Sequence, residues 1–170
     1  AKNNLGIIYK IGKGVSPNFA NSIIYFEEAI RLNNVTAMFN LAHIYFYNEA
    51  GISDDKKAMK LLIKSSKEMS LILLCLMIMK NNPNSSIEKI QEKIEALDKE
   101  FAETFIYFLN DFKANIEEEP TLYDNLYIEY KDINLVFYEN RVENFTLKKK
   151  IKVENKRIDI NSSFYEGFGD

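Results

Sequence analysis

The chain is poor in the residues that build covalent and metal-bound frameworks. Its 170 residues include one cysteine, one histidine, three prolines and no tryptophan. One cysteine cannot form an internal disulfide, and a zinc site or a Ser-His-Asp centre is difficult to build from so few histidine and cysteine side chains. We therefore expect no metal, no cofactor and no catalytic residue, and we predict that the chain is not an enzyme.

Long hydrophobic runs and a strong charge of one sign are also missing. The longest apolar run covers residues 71–79, whereas a membrane-spanning helix needs about 20 such residues. The run predicts instead a helix that is buried on most of its circumference. The net charge of -3 creates no strong field toward nucleic acid or anionic lipid. We expect no nucleic-acid binding and no transmembrane segment, and without a signal-like segment a cytoplasmic location is favoured.

The residues that are present have an ordinary globular balance. Hydrophobic residues make up 46% of the chain and charged residues 28%, which is not the composition of a disordered protein. The length allows one domain, or one domain with a small appendix, and is sufficient to bury a sizeable core.

Two similar units, 36 positions apart, begin the chain. The residues that recur are Ala1, Leu5, Gly6 and Tyr9, which reappear as Ala37, Leu41, Ala42 and Tyr45. In each unit the apolar positions share one helical stripe, with Ile8 and Ile44 added to it. Each unit therefore predicts a helical hairpin, in which the small Gly6 and Ala42 allow the second helix to approach closely.

The predicted helices also carry end signals. Gly12 and Asn48 follow the first helix of each unit, where a left-handed residue can end a helix. Ser16 and Pro17 are typical of an N-cap and a first helical residue. The residues from Ser85 to Glu88 have the spacing of a capping box. With the apolar stripes that follow, the pattern predicts about six helices stacked as antiparallel pairs.

The repeated unit resembles a known family. The residues that carry the resemblance are Ala1-x-x-x-Leu5-Gly6-x-x-Tyr9-x-x-Gly12-x-Gly14-Val15, followed by Ser22-x-x-Tyr25-Phe26-Glu27-x-Ala29. This pattern is similar to the Sel-one-like repeat, a tetratricopeptide-like helical hairpin, over residues 1 to about 80. The second unit departs from it at Ala42 and Asn48. The resemblance implies a solenoid, an α-α superhelix that acts as an adaptor or scaffold and binds proteins or peptides on its concave side.

A candidate partner-binding surface lies on the first helix of the second unit, opposite its apolar stripe. Its residues are Phe39, His43 and Phe46, where the first unit has Asn3, Ile7 and Lys10. Aromatic side chains concentrate binding energy, so one interpretation is a partner-binding patch. The alternative is that this face packs against the first helix of a neighbouring unit. We call the surface formed by Phe39, His43 and Phe46 the inner face.

The pattern changes after residue 114. Three glutamates and Pro120 predict a boundary, beyond which apolar residues alternate at 126, 128 and 130, again at 133, 135 and 137, and in two later runs. We expect a helical repeat region over 1–114 and a small antiparallel β-meander over 121–170, with turns near 131–132, 140–144 and 155. Lys148, Lys149, Lys150 and Lys152 form a basic cluster, interpreted as a solvated strand face rather than a phosphate-binding patch.

The sequence therefore predicts a mainly α fold, in which a solenoid of helical hairpins is followed by the β-meander. The first functional hypothesis is a noncatalytic scaffold or adaptor that binds a protein or peptide on the inner face. An alternative is an accessory or regulatory region of a larger enzyme or effector whose catalytic domain lies elsewhere. A small neutralising protein such as a toxin antagonist is a third hypothesis, which the start at the first position of a repeat disfavours.

Overall fold

A computed structural model of the chain describes residues 2–134 and the backbone of residues 136–138, 141–143, 150–153 and 156–159. The described helices are α1 (Lys2–Ile11), α2 (Phe19–Arg31), α3 (Val35–Phe46), α4 (Asp55–Ser65), α5 (Glu68–Asn81), α6 (Ile87–Glu95), α7 (Lys99–Glu118) and α8 (Leu122–Lys131). The described strands are β1 (Val136–Tyr138), β2 (Arg141–Glu143), β3 (Lys150–Val153) and β4 (Lys156–Asp159).

The helices pack as hairpins in chain order. α1 packs on α2, α3 on α4 and α6 on α7, while α2 also contacts α3 and α4 contacts α5. This arrangement confirms the prediction of a mainly α chain built from stacked helical hairpins. No described helix is both long and apolar enough to cross a membrane.

Local signals explain several of the helix ends. Gly12 and Asn48 have positive φ angles of 76° and 52°, as predicted for residues that end the first helix of each unit. The predicted N-cap at Ser16 is wrong, because the cap of α2 is Asn18, whose side chain accepts a bond from the Asn21 amide. The cap of α6 is Ser86, one residue after the predicted position.

A close contact inside the first hairpin depends on Gly6. A Cβ atom at this position would lie 2.5 Å from Cε1 of Phe26, whose ring is buried. The Ser22 hydroxyl of α2 also donates a 2.7 Å hydrogen bond to the Gly6 carbonyl. The expectation that small residues allow the paired helix to approach is therefore confirmed for the first unit.

The predicted core stripe is right for the second unit and wrong for the first. In α3 the stripe residues Ala37, Leu41, Ile44 and Tyr45 are all buried. In α1, Leu5, Ile8 and Tyr9 are only half-buried, and the buried residues are Asn3, Gly6, Ile7 and Lys10; Ala1 lies outside the described residues. The face of α1 that carries Asn3 and Lys10 is buried because it packs against α3, where the Asn40 amide donates a 2.9 Å hydrogen bond to Asn3.

Helix α5 forms the centre of the helical body. It is apolar around most of its circumference and nearly all of its residues from Met69 to Ile78 are buried, as its long apolar run predicts. Both α7 and α8 pack against it. Cys75 is fully buried in this helix, as predicted for a small hydrophobic residue, and burial raises the pKa of its thiol well above the usual value.

The predicted first strand of the C-terminal segment is wrong, because residues 122–131 form α8. Leu126 and Tyr130 are one helical turn apart and are both buried, whereas Ile128 between them is 64% exposed. Alternation of apolar residues at 126, 128 and 130 fits a strand, but the pair at 126 and 130 fits a helix equally well. Packing on α5 selects the helix.

The described strands do not support the single β-meander. β1 pairs with β2 and β3 with β4, each in antiparallel register, as two separate two-stranded sheets. Within the described ranges no ladder joins the two sheets. The predicted turn at residue 155 and the basic residues Lys148 and Lys149 lie outside the described residues. The division of the chain at residues 115–121 stays a prediction.

Candidate partner-binding site

The three predicted partner-binding residues lie together on α3, but they face the interior. Phe39 and His43 are fully buried and Phe46 is 5% exposed. His43 lies beneath the C-terminal end of α8, and the Phe46 ring makes a T-shaped contact with the Tyr127 ring of α8, with 5.7 Å between centroids. The alternative, that this face packs against the first helix of a neighbouring unit, agrees with the contact of His43 with Lys10 of α1, although α8 also covers part of the face. That a partner contacts these side chains stays a prediction, and access to His43 and Phe46 requires that α8 be displaced.

His43 joins three parts of the chain. Its Nε2–H group donates a 2.7 Å hydrogen bond to the Tyr130 carbonyl of α8, because a carbonyl can only accept. Its other nitrogen, Nδ1, lies 3.1 Å from the Lys10 ammonium of α1 and 2.7 Å from a Glu49 oxygen in the loop after α3. The two imidazole nitrogens therefore contact different parts of the chain. Nδ1 lies next to Lys10 and Glu49, and Nε2 is bonded to α8.

Lys10, His43 and Glu49 form a cluster that is almost removed from water. The Lys10 side chain is 4% exposed and the Glu49 side chain 19%, and their charged atoms are 3.2 Å apart. With a neutral imidazole, the ammonium donates to both Nδ1 and the carboxylate, and the cluster carries no net charge. A buried ion pair of this kind needs such additional hydrogen bonds to offset its loss of hydration.

The protonation of this cluster follows from its burial. Burial, and then the neighbouring Lys10 charge, lower the pKa of His43 below its usual 6.5, so the imidazole is neutral at pH 7. Burial also lowers the pKa of Lys10, although Glu49 opposes this effect. For Glu49, burial alone would raise the pKa, but the adjacent His43 and the positive charge of Lys10, whose ammonium donates to the carboxylate, outweigh it and lower the pKa.

A cluster of aromatic rings borders the inner face. The rings of Tyr47 and Tyr127 lie 5.0 Å apart, and the Tyr47 hydroxyl donates a 2.8 Å hydrogen bond to the Tyr127 carbonyl. The exposed Lys80 ammonium lies 5.2 Å from the Phe46 ring and 5.3 Å from the Tyr127 ring, within the range of a cation–π contact. The Tyr123 hydroxyl donates to the Leu76 carbonyl of α5 at 3.3 Å. These contacts fix α8 against both α3 and α5.

The sequence missed the partners of His43. The sequence marks Lys10 only as a polar residue of the first helix and Tyr130 only as a member of an alternating run, and it carries no signal for Glu49. A lysine at a position that faces the next unit is the one available signal, since such a residue needs an acceptor when it is buried. No spacing rule links this lysine to Glu49 in the loop after α3. Likewise, none links His43 to the Tyr130 carbonyl of α8, which lies 87 positions later in the chain.

The site contains little that would hold a metal. Among the described residues, no group of three or more His, Cys, Asp or Glu side chains is arranged to bind a metal ion. The imidazole of His43 already contacts Tyr130, Lys10 and Glu49. One of its nitrogens would have to leave these contacts before it could bind a metal ion. The arrangement is suited to hold helices together.

Comparison with known proteins agrees with the architecture of the first four helices. The family model for the Sel1 repeat matches residues 1–34 and 35–68. These two matches correspond to the hairpins α1–α2 and α3–α4. No curated protein matches the chain, and no solved structure matches it. Residues 1–68 therefore match two consecutive Sel1 repeats.

Proposed function

We propose that this chain is a noncatalytic protein-interaction module that binds a protein or peptide on the inner face of its repeat helices. Sel1 repeats are generally protein–protein interaction modules and are typically noncatalytic. The observation that carries the proposal is that the inner face already accommodates a helix: α8 lies on Phe46 and His43 through aromatic contacts and a hydrogen bond.

A noncatalytic role is supported by the state of the two most reactive side chains. The Cys75 thiol is buried, and burial raises its pKa, so the nucleophilic thiolate is suppressed. Both nitrogens of His43 are engaged with other groups of the chain. A general base must be able to reach the proton that it removes, and this imidazole is fully buried.

The inner face suits a partner segment with large apolar side chains. Phe39 and Phe46 provide aromatic surface, and Tyr47 and His43 provide hydrogen-bond donors next to it. Binding sites with this combination concentrate their energy in a few aromatic anchors. An amphipathic helix or an apolar peptide is therefore the partner chemistry that the inner face favours.

Affinity capture with the full chain as bait tests the proposal. Substitution of Phe39 or Phe46 by alanine would remove buried rings and unfold part of the chain, so the informative variant is on the rim. Lys80→Glu reverses an exposed charge that lies over Phe46 and Tyr127, and Lys60→Glu on α4 makes the same charge change at another exposed position.

We expect a set of proteins that is recovered with the wild type and with Lys60→Glu, and at least tenfold less with Lys80→Glu. Equal recovery with all three baits, each folded by circular dichroism, would place the binding surface elsewhere. Quantitative mass spectrometry provides the comparison.

A further inference from the structure

Helix α8 contacts His43 and Phe46 of the inner face and packs on α5 and α7. We propose that α8 is a displaceable internal ligand of this face, and that a partner binds by inserting an amphipathic helix of the same pattern in its place. The inference rests on the proposed function, to which it adds the competitor and the chemistry of the partner. Four properties of α8 support it.

The hydrogen bonds that hold α8 are made to its backbone. His43 donates to the Tyr130 carbonyl at 2.7 Å and Tyr47 donates to the Tyr127 carbonyl at 2.8 Å. Any helix that ends at the same place offers the same two carbonyls, whatever its side chains. The carbonyl end of a helix also carries partial negative charge, which the nearby Lys10 and His43 donors suit.

The apolar contacts of α8 follow a simple pattern. Within α8, Leu126 and Tyr130 are buried at positions i and i+4, and Ile133 is buried just after the helix. The i, i+4 spacing is one by which helices are recognised in apolar grooves. Ile128 on the opposite side is exposed. A competing helix would therefore carry large apolar residues at i and i+4, and would end close to His43.

The docking of α8 is imperfect at its most buried side chain. Tyr130 is fully buried, and its hydroxyl has no hydrogen-bond partner among the described residues. Leaving a buried hydroxyl unsatisfied disfavours docking by roughly 5- to 150-fold. A helix with phenylalanine or leucine at this position would avoid that loss and would bind more tightly than α8 itself.

The start of α8 is also weakly stabilised. Thr121 occupies the N-cap position but makes no side-chain cap hydrogen bond. By contrast, the Asp98 side chain caps α7 by accepting from the Phe101 amide at 3.0 Å. A missing cap lowers the stability of a helix in its docked form, so α8 combines a good fit with a limited affinity.

The test uses the full chain and a fluorescein-labelled synthetic peptide that copies residues 121–134. The apparent affinity of the chain for this peptide scales with the fraction of molecules in which α8 has left the inner face. Tyr130→Phe in the chain removes the unsatisfied hydroxyl and should weaken peptide binding about fivefold or more. Leu126→Ala creates a cavity under α8 and should strengthen it about 30-fold or more. Tyr107→Phe removes a hydroxyl from a side chain that is 67% exposed and should change nothing.

Amide hydrogen exchange of the same chains provides a second measurement. The α8 amides should exchange faster than those of α3, and Tyr130→Phe should slow them about fivefold or more while leaving α3 unchanged. This comparison remains decisive if Leu126→Ala does not fold, because Tyr130→Phe is expected to stabilise the chain.

Peptide affinity in the order Leu126→Ala, wild type, Tyr130→Phe supports the inference. Equal affinities of the three chains for the peptide would overturn it. So would α8 amides that exchange hydrogen at the same rate as the α3 amides. A partner protein captured equally by wild type and Tyr130→Phe would also overturn it and would leave the proposed function standing. If the peptide affinities follow the predicted order but capture recovers no partner, the result would support α8 as an internal ligand and would count against the proposed function.

Discussion

The most informative single perturbation is Glu49→Gln, which removes the negative charge from the cluster that joins α1, α3 and α8. The Lys10 ammonium lies 3.2 Å from the Glu49 carboxylate and its side chain is 4% exposed. Glutamine has nearly the same shape and can still accept a hydrogen bond. The substitution therefore leaves the packing intact and deprives a buried ammonium of its counter-charge.

The expected loss can be bounded from two sides. Removing one member of a buried ion pair usually destabilises a protein by about 3–5 kcal/mol. The loss cannot greatly exceed the free energy needed to deprotonate Lys10 at pH 7, which is about 5 kcal/mol for a lysine whose usual pKa is 10.5. Because Glu49 is partly exposed, we expect about 3 kcal/mol, which lowers Tm by about 6–12 °C in a chain of this size.

Urea unfolding followed by circular dichroism at pH 7 measures this loss. The matched control is Glu27→Gln, which breaks the Lys57–Glu27 pair, whose side chains are 42% and 37% exposed; pairs of this kind contribute at most about 1 kcal/mol. Lys10→Met combined with Glu49→Gln should be more stable than Glu49→Gln alone, since no buried charge remains unpaired. If Glu49→Gln lies within about 0.5 kcal/mol of the wild type, the cluster does not hold the helices as argued.

Three further predictions follow from the same contacts. Since the pKa of His43 is lower folded than unfolded, the unfolded chain binds more protons below about pH 6.5. Stability should therefore fall between pH 6.5 and 5.5, by at most about 1.4 kcal/mol per pH unit, and His43→Gln should remove this dependence in urea titrations. Gly6→Ala should destabilise the chain by about 1–3 kcal/mol in the same assay, because the new Cβ meets Phe26; an unchanged midpoint would contradict the close contact. If the chain divides at residues 115–121, limited proteolysis should cut there first, and a first cut within residues 1–114 would oppose the division.

The repeats could be predicted from the sequence because their signals are local. The hairpins, the positive φ angles of Gly12 and Asn48, and the close approach at Gly6 all follow from residues a few positions apart. The predicted caps of α2 and α6 lie one or two residues too early, since several serine, asparagine and aspartate residues compete to cap each helix. The Sel1 match over residues 1–68 confirms the family that the repeated pattern resembles.

The burial of the inner face could not be predicted, because it depends on residues far apart in the chain. A stripe of Leu5, Ile8 and Tyr9 is a stronger apolar pattern than Asn3 and Lys10, yet the latter are buried. Lys10 is buried only because α3 supplies His43 and the loop after it supplies Glu49. The periodicity of apolar residues does not indicate that a charged residue is buried when its partners lie in another unit.

The misassigned strand at residues 126–130 has a different cause. Apolar residues at every second position also satisfy a four-residue helical spacing, so periodicity alone cannot separate the two over so short a run. Only the contacts of Leu126 and Tyr130 within the helical body decide it. Because the alternating run predicts a strand, the sequence does not indicate that a helix lies against the inner face in this chain.

The state of the one histidine tests most directly whether α8 lies on the inner face. The chain contains a single His, so selective ¹⁵N-histidine labelling gives one set of imidazole resonances. We predict a slowly exchanging Nε2–H proton, bonded to the Tyr130 carbonyl, and a titration midpoint below the usual 6.5. A rapidly exchanging imidazole proton with a midpoint close to 6.5 would contradict the account, because it would mean that the inner face is open to solvent.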